Sequence, residues 1–216
     1  MKFHIAAFLF FFICTGTSYA QEAFTIKQYD IAVKVNQDAS LDITETINVR
    51  FSKPRHGIFR LVPYRYPIQS LPPGMEKAKR QMEWNWYANT LVEDIRVEKH
   101  DFDINVEGDY KKIIIGSKDK YVDGNQQYVI HYTIKNAINF FKDHSELYLN
   151  LIGNRWPVTI DKISFSIQLY NSLPVNPPYF IATGYTRSKA NNTVSKWTEK
   201  KYFLVIPPGS LIVKKG

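Results

Sequence analysis

Leu41-Asp42-Ile43-Thr44-Glu45-Thr46-Ile47-Asn48-Val49-Arg50-Phe51 reads as a β-strand from its period alone. Leu41, Ile43, Ile47, Val49 and Phe51 fall on one side, and Asp42, Thr44, Thr46, Asn48 and Arg50 on the other. Alternation sustained over this length marks a strand with one buried face, whereas a helix repeats its apolar positions every three or four residues. Just upstream, Tyr29, Ile31, Val33 and Val35 alternate with Asp30, Lys34 and Asn36, and Asn36-Gln37-Asp38-Ala39 is a turn. The two runs predict an N-terminal β-hairpin.

The pattern recurs downstream. Ile95 and Val97 alternate with Arg96 and Glu98, and Phe102, Ile104 and Val106 with Asp103 and Asn105. Lys111–Ile115 is a short apolar strand. Tyr128, Ile130, Tyr132 and Ile134 make another, and Ile163, Phe165, Ile167 and Leu169 alternate with Ser164, Ser166 and Gln168. The last strands are predicted near Tyr179–Thr183, Val194–Lys196 and Tyr202–Ile206. Many short strands separated by Gly, Pro and Asn imply an all-β fold, an antiparallel two-sheet sandwich that is immunoglobulin-like in the broad sense. An aromatic content of 15% supports strands over helices. Two stretches break the pattern. Residues 52–90 read as a long irregular insertion, with a short helix expected from Gly74 to Trp84, and Asn136–Leu149 reads as irregular with a helical turn. No internal repeat or low-complexity tract is present.

The amino terminus carries an address. Lys2 precedes an apolar run from Ile5 to Cys14, then Thr15-Gly16-Thr17-Ser18-Tyr19-Ala20 supplies the small residues that a signal peptidase reads, with the cut expected after Ala20. The apolar run is half of the roughly 20 residues needed to span a bilayer. Residues 1–20 are thus expected to be a signal peptide, and 21–216 a single exported domain, periplasmic, cell-surface or secreted. Cys14 is the one cysteine of the chain, so the mature domain would have no disulfide, no thiol nucleophile and no thiolate metal site. The formal charge of +8 suits an anionic surface or simple solubility.

Glu45 breaks the binary pattern, because it falls between Ile43 and Ile47 on the apolar face. A carboxylate there must be paired or costly to bury. Arg60 and Arg65 are the nearest candidate partners in sequence, and Glu45–Arg60 is the expected structural ion pair, with a catalytic carboxylate as the alternative. Asp119-x-x-x-Asp123-Gly124-Asn125 resembles a calcium loop, but Tyr121 and Ile130 stand at its third and twelfth positions, so it reads as a hairpin turn. Asp143-His144-Ser145-Glu146 matches no metal spacing. No Ser/His/Asp arrangement and no G-x-S-x-G is present, and no cofactor is expected. Arg55, Arg65, Tyr64, Tyr66, Trp84 and Trp86 interleave cations with aromatics and form the expected interaction surface. Export argues against nucleic acid as its partner and for an envelope protein or an anionic lipid or polysaccharide surface.

Four stretches resemble the domain of unknown function 2207 family of YciQ-like predicted membrane proteins. They are Tyr29-Asp30-Ile31 with Ser40–Ile47, His56–Pro63, Tyr128–Ile134, and Asp143–Pro157, in which Leu149 stands where the family usually has Trp. The resemblance covers most of residues 24–206. It implies an extracytoplasmic β-rich domain that usually precedes transmembrane helices and a low-complexity tail, and it implies no reaction. It also places Glu45 and Arg60 at motif positions. This sequence reaches Lys214-Lys215-Gly216 without a membrane span, so the expectation is either a short soluble member or the ectodomain of a longer membrane protein. The expected function is a noncatalytic binding or structural module at the envelope. The alternative is an envelope hydrolase using Glu45, Asp143 and Glu146.

Overall fold

The computed structural model describes residues 22–67, 87–140, 145–147, 149–153, 155–171, 194–197 and 201–206. The expected signal peptide, the expected Gly74–Trp84 helix and the expected Tyr179–Thr183 strand lie outside them. The described residues contain no helix, and every regular element is a strand.

The alternating runs form the backbone of the larger sheet. β1 (Phe24–Val35) and β2 (Leu41–Arg55) make the N-terminal hairpin in antiparallel register, from Phe24 opposite Phe51 to Val35 opposite Leu41, with one shift between Ile26 and Gln28. β9 (Val122–Lys135) pairs with the other side of β2, and β6 (Leu91–Val97) with the far side of β9. β12 (Ile163–Gln168) joins the free edge of β1 in parallel, and β14 (Lys201–Ile206) and β13 (Val194–Trp197) continue outward from it. The sheet therefore has seven strands in the order β13-β14-β12-β1-β2-β9-β6. A second sheet, β3-β8-β7, holds β3 (Gly57–Pro63), β8 (Tyr110–Gly116) and β7 (Phe102–Glu107). Two small ribbons pair β4 (Arg65–Pro67) with β5 (Tyr87–Asn89), and β10 (Ile138–Phe140) with β11 (Ser145–Leu147).

The sheets share one core. Ile31, Val33, Ile43, Ile47, Ile130 and Ile134 of the large sheet cluster with Ile58, Val62, Ile113 and Ile115 of the small one. This is the sandwich solution, in which the inner faces of two sheets interdigitate. It is mostly antiparallel, but the β1–β12 pair is parallel. After the hairpin forms, the outer edge of β1 is unpaired, and β12 fills it after the chain has passed through β9 and the β10–β11 ribbon.

Several local expectations change. The stretch 52–90 is not irregular from its start, since β2 runs to Arg55 and β3 follows at Gly57. Alternation fails there because Ser52–Arg55 are all exposed, so no apolar face is needed, and because β3 carries Arg60 inward. Asp123-Gly124-Asn125 is not a turn: it lies in β9, with Gly124 opposite Phe51. The reversal falls earlier, before Val122. Where an irregular segment is expected, Ile138–Phe140 and Ser145–Leu147 pair as the β10–β11 ribbon. β7 forms where predicted but does not alternate in burial: at the edge of the small sheet, Ile104 and Val106 are 42% and 62% exposed.

Candidate functional site

Glu45 lies in β2 between Ile31 of β1 and Ile130 of β9, and its side chain is 0% exposed. Arg60 sits at the middle of β3 opposite Ile113 and is 1% exposed. Each element presents its residue to the shared core, so a long side chain crosses the gap between sheets. Arg60 Nε donates to Glu45 Oε2 at 2.8 Å, and Nη2 donates to Oε1 at 2.8 Å. This is the two-point geometry in which guanidinium binds carboxylate most strongly.

The remaining valences are filled by protein. Arg60 Nη1 donates to the carbonyls of Leu61 at 2.6 Å and Ile152 at 3.1 Å, and Nη2 also donates to Leu151 O at 2.8 Å. All five guanidinium N–H groups are thereby used. On the acid, Tyr29 OH donates to Oε2 at 2.7 Å and Tyr132 OH to Oε1 at 2.6 Å. With the two main Arg60 bonds, the four acceptor sites of the carboxylate are occupied. Burial opposes the charge on Arg60, but the Glu45 carboxylate and its hydrogen bonds, together with Tyr29 and Tyr132, outweigh it, so the guanidinium is held well above its ordinary range. Burial raises the phenol of Tyr29 despite the opposing field of Arg60.

The pair also fastens the loop at 149–158. Trp156 is buried, donates its indole N–H to Ile152 O at 3.1 Å, and packs edge-on to Tyr29 with ring centroids 5.8 Å apart. The Arg60 guanidinium lies 5.9 Å from both ring centroids. Gly153 has φ +76°, and a Cβ there would sit 3.0 Å from Arg60 Nη1, so glycine lets this backbone approach the guanidinium. The depression beside it, lined by Phe59, Leu61, Tyr110, Ile152 and Arg155 among others, has a volume of about 10 Å³, the room of one water.

A second polar chain lies on the outer face of the large sheet. Thr44 Oγ1 is 3.1 Å from His131 Nδ1, and His131 Nε2 is 2.7 Å from Glu98 Oε1. The order hydroxyl, imidazole, carboxylate matches that of a nucleophilic triad. Thr44, however, lies in β2, which is paired on both sides by β1 and β9. Its neighbouring amides are committed to the ladders, so none is free to stabilise an oxyanion. Among the described residues no three His, Cys, Asp or Glu side chains gather as metal ligands.

The surface candidates among the described residues do not form one patch. Arg55 is exposed at the end of β2, before Gly57 opens β3. Tyr64 and Arg65 follow the other end of β3, roughly 23 Å along the strand. There Tyr64 OH donates to Gly108 O at 3.0 Å, Tyr64 O accepts from Thr90 N at 2.8 Å, and Arg65 lies 3.4 Å from Asp109. Tyr66 is in β4 opposite Ala88. Trp84 and Trp86 lie outside the described residues, as do Asp143 and His144, while Glu146 is in β11 opposite Asn139. Sequence reasoning missed Tyr29, Tyr132 and Trp156 as partners of the buried pair. The available signal was the polar tip each carries on an apolar face, which calls for a buried acceptor.

Among solved structures, leukotriene A4 hydrolase from Saccharomyces cerevisiae is similar at 12% identity and a TM-score of 0.48, covering 86% of this chain and 28% of that one. An M1 zinc metallopeptidase from Deinococcus radiodurans has 10% identity and a TM-score of 0.38, covering 86% of this chain and 39% of that one. Likenesses at this level assign no activity. The uncharacterized protein YciQ of Escherichia coli (strain K12) is 29% identical over 149 residues. That match takes in 68% of this chain but only 22% of YciQ, so the chain spans about a fifth of its curated relative. Residues 25–204 match the N-terminal domain of the predicted membrane proteins described as DUF2207, and the chain belongs to that family.

Proposed function

We propose that the chain is the exported, noncatalytic N-terminal module of an envelope membrane protein, working through its surface on an envelope protein or an anionic surface. One observation carries the noncatalytic part. Glu45 and Arg60 are the buried charged residues among those described, and every donor and acceptor they have is taken by protein. A general acid or base needs a free position within hydrogen-bond reach of a substrate, and Glu45 has none. The hydrolase alternative therefore loses its central residue. The Met1–Ala20 leader pattern and the family's description as membrane proteins support placement outside the cytoplasm.

The test is a pair of fusions after Gly216, expressed in Escherichia coli. An alkaline phosphatase fusion is expected to be active, and a green fluorescent protein fusion dark. The reverse pattern overturns the exported reading.

A further inference from the structure

The end of the sandwich opposite the Asn36–Ala39 turn is built as a projecting basic tip. β2 is exposed from Ser52 onward, and its pairing with β9 slips between Phe51–Gly124 and Arg55–Val122. The turn from Ser117 to Tyr121 lies against it. His56 Nδ1 is 3.1 Å from the carbonyl oxygens of both Ser117 and Lys120, and the His56 ring is 4.1 Å from that of Tyr121. At the base, Gly57 (φ +134°) and Gly116 (φ +126°) face each other across the β3–β8 ladder. A Cβ on Gly57 would lie 1.9 Å from Ile115 O, and one on Gly116 would lie 1.9 Å from His56 O. Close backbone approach and the histidine bridge thus hold the two segments together and fix what they display.

What they display is Lys53, Arg55, Lys118 and Lys120, all exposed, around Tyr121, which is 68% exposed. None of the four cations has an ion-pair partner among the described residues. At the other end, by contrast, Arg65 and Lys135 are held by Asp109 and Glu93. Asp119 and Asp123 share the tip and Asp101 borders it, with Arg50 on the strand above, so cations remain in excess. Unpaired cations around an exposed tyrosine fit a headgroup layer, where phosphates meet charge and an amphipathic ring finds both its environments.

The chain direction agrees. β1 starts at this end, with Phe24 opposite Phe51. β14 runs toward it and finishes with Ile206 opposite Ile163, level with Tyr29 and Ile47. Arg55 lies eight residues beyond Ile47, roughly 26 Å along the strand. The ten residues from 207 to 216 can reach roughly 33–36 Å when extended, enough to arrive at the level of the tip. In this family the domain is the N-terminal part of a predicted membrane protein, so the chain that follows it leads toward a bilayer.

We infer that this tip is the membrane-facing end of the domain: Lys53, Arg55, Lys118 and Lys120 bind the phosphates of anionic lipids, and Tyr121 seats among the headgroups. The inference rests on the exported-module reading and names the surface and partner it leaves open. The purified chain is sedimented with vesicles of phosphatidylcholine containing about a third phosphatidylglycerol, and with phosphatidylcholine alone. Binding is expected to the first and not the second, and to weaken as salt rises. Each of Lys53→Ser, Arg55→Ser, Lys118→Ser and Lys120→Ser should weaken it about fivefold, with circular dichroism unchanged. Leu91→Ser and Phe140→Ser, at the far end, should leave it intact. Equal binding to both vesicles, no binding at low salt, a fourfold-substituted variant that binds like the parent, or loss on substituting Leu91 or Phe140 would each overturn the tip. An exported fusion that fails to bind vesicles overturns this inference alone. A fusion retained in the cytoplasm overturns the module reading, whatever the vesicles show.

Discussion

Glu45 is a carboxylate in a hydrophobic core, and its energetics depend on its company. Removing one partner of a buried pair leaves the other as an uncompensated charge, which costs about 3–5 kcal/mol. Glu45→Gln should therefore lower the free energy of urea unfolding by that amount, and a loss under about 1 kcal/mol would show that Arg60 finds another acceptor. The tyrosines make a sharper contrast. Tyr29 and Tyr132 donate to Glu45, whereas Tyr128 OH is buried without a hydrogen-bond partner among the described residues. Tyr132→Phe should destabilise by about 1–2 kcal/mol, and Tyr128→Phe should stabilise by about 1 kcal/mol. Burial also pushes the Tyr128 phenol up to about 12 from 10.0. The folded state then keeps a proton that the unfolded chain releases, so stability falls as pH rises from about 10 to about 12. Unfolding midpoints across that window should fall less steeply for Tyr128→Phe. At this scale the anomaly of Glu45 is visible in sequence, because period two places it among Ile43 and Ile47. Its phenolic partners are not, because Tyr29 and Tyr132 lie 16 and 87 residues away and only sheet register brings them to it.

Among elements, the length of a pattern decided how readable it was. β1 and β2 repeat their alternation many times and meet in unbroken register from Gln28 to Leu41. β10 and β11 are three residues each, too short to show a period, and their ribbon is fixed by cross-strand pairing alone. Asp123-Gly124-Asn125 has the chemistry of a turn, and Gly124 does take φ +59°, but the ladder to β2 absorbs it as an irregularity inside β9. Gly57 and Gly116 make the strongest demand of this kind. Gly57→Ala meets both a disfavoured φ and a carbonyl oxygen at 1.9 Å, and should cost about 3 kcal/mol or more. Thermal unfolding of the variant checks this, and an unchanged midpoint would show that the β3–β8 ladder can part there without loss.

For the molecule as a whole, an all-β sandwich was legible because the number of short strands and their punctuation are properties of composition and spacing. The parallel partner of β1 was not, since Asp30 and Ser164 are separated by 134 residues and no local pattern records which edge a late strand will choose. That pairing makes β12 structural. A chain stopped before Ile163 would leave β1 with an open apolar edge, and such edges recruit other chains. Light scattering should show it associating at concentrations where the intact protein stays dispersed; a monodisperse truncated chain would mean the hairpin edge is covered some other way.

The same parallel pair sets an order in time. β1 leaves the ribosome well ahead of its outer neighbour and is completed only when β12 arrives. Until Gln168 is available opposite Lys34, the chain holds a hairpin without its outer neighbour and a core without closure. Contacts this distant form slowly. From the making of β1 to that of β12 the growing domain thus stays unfinished, the condition in which a polypeptide can still be threaded through a narrow passage.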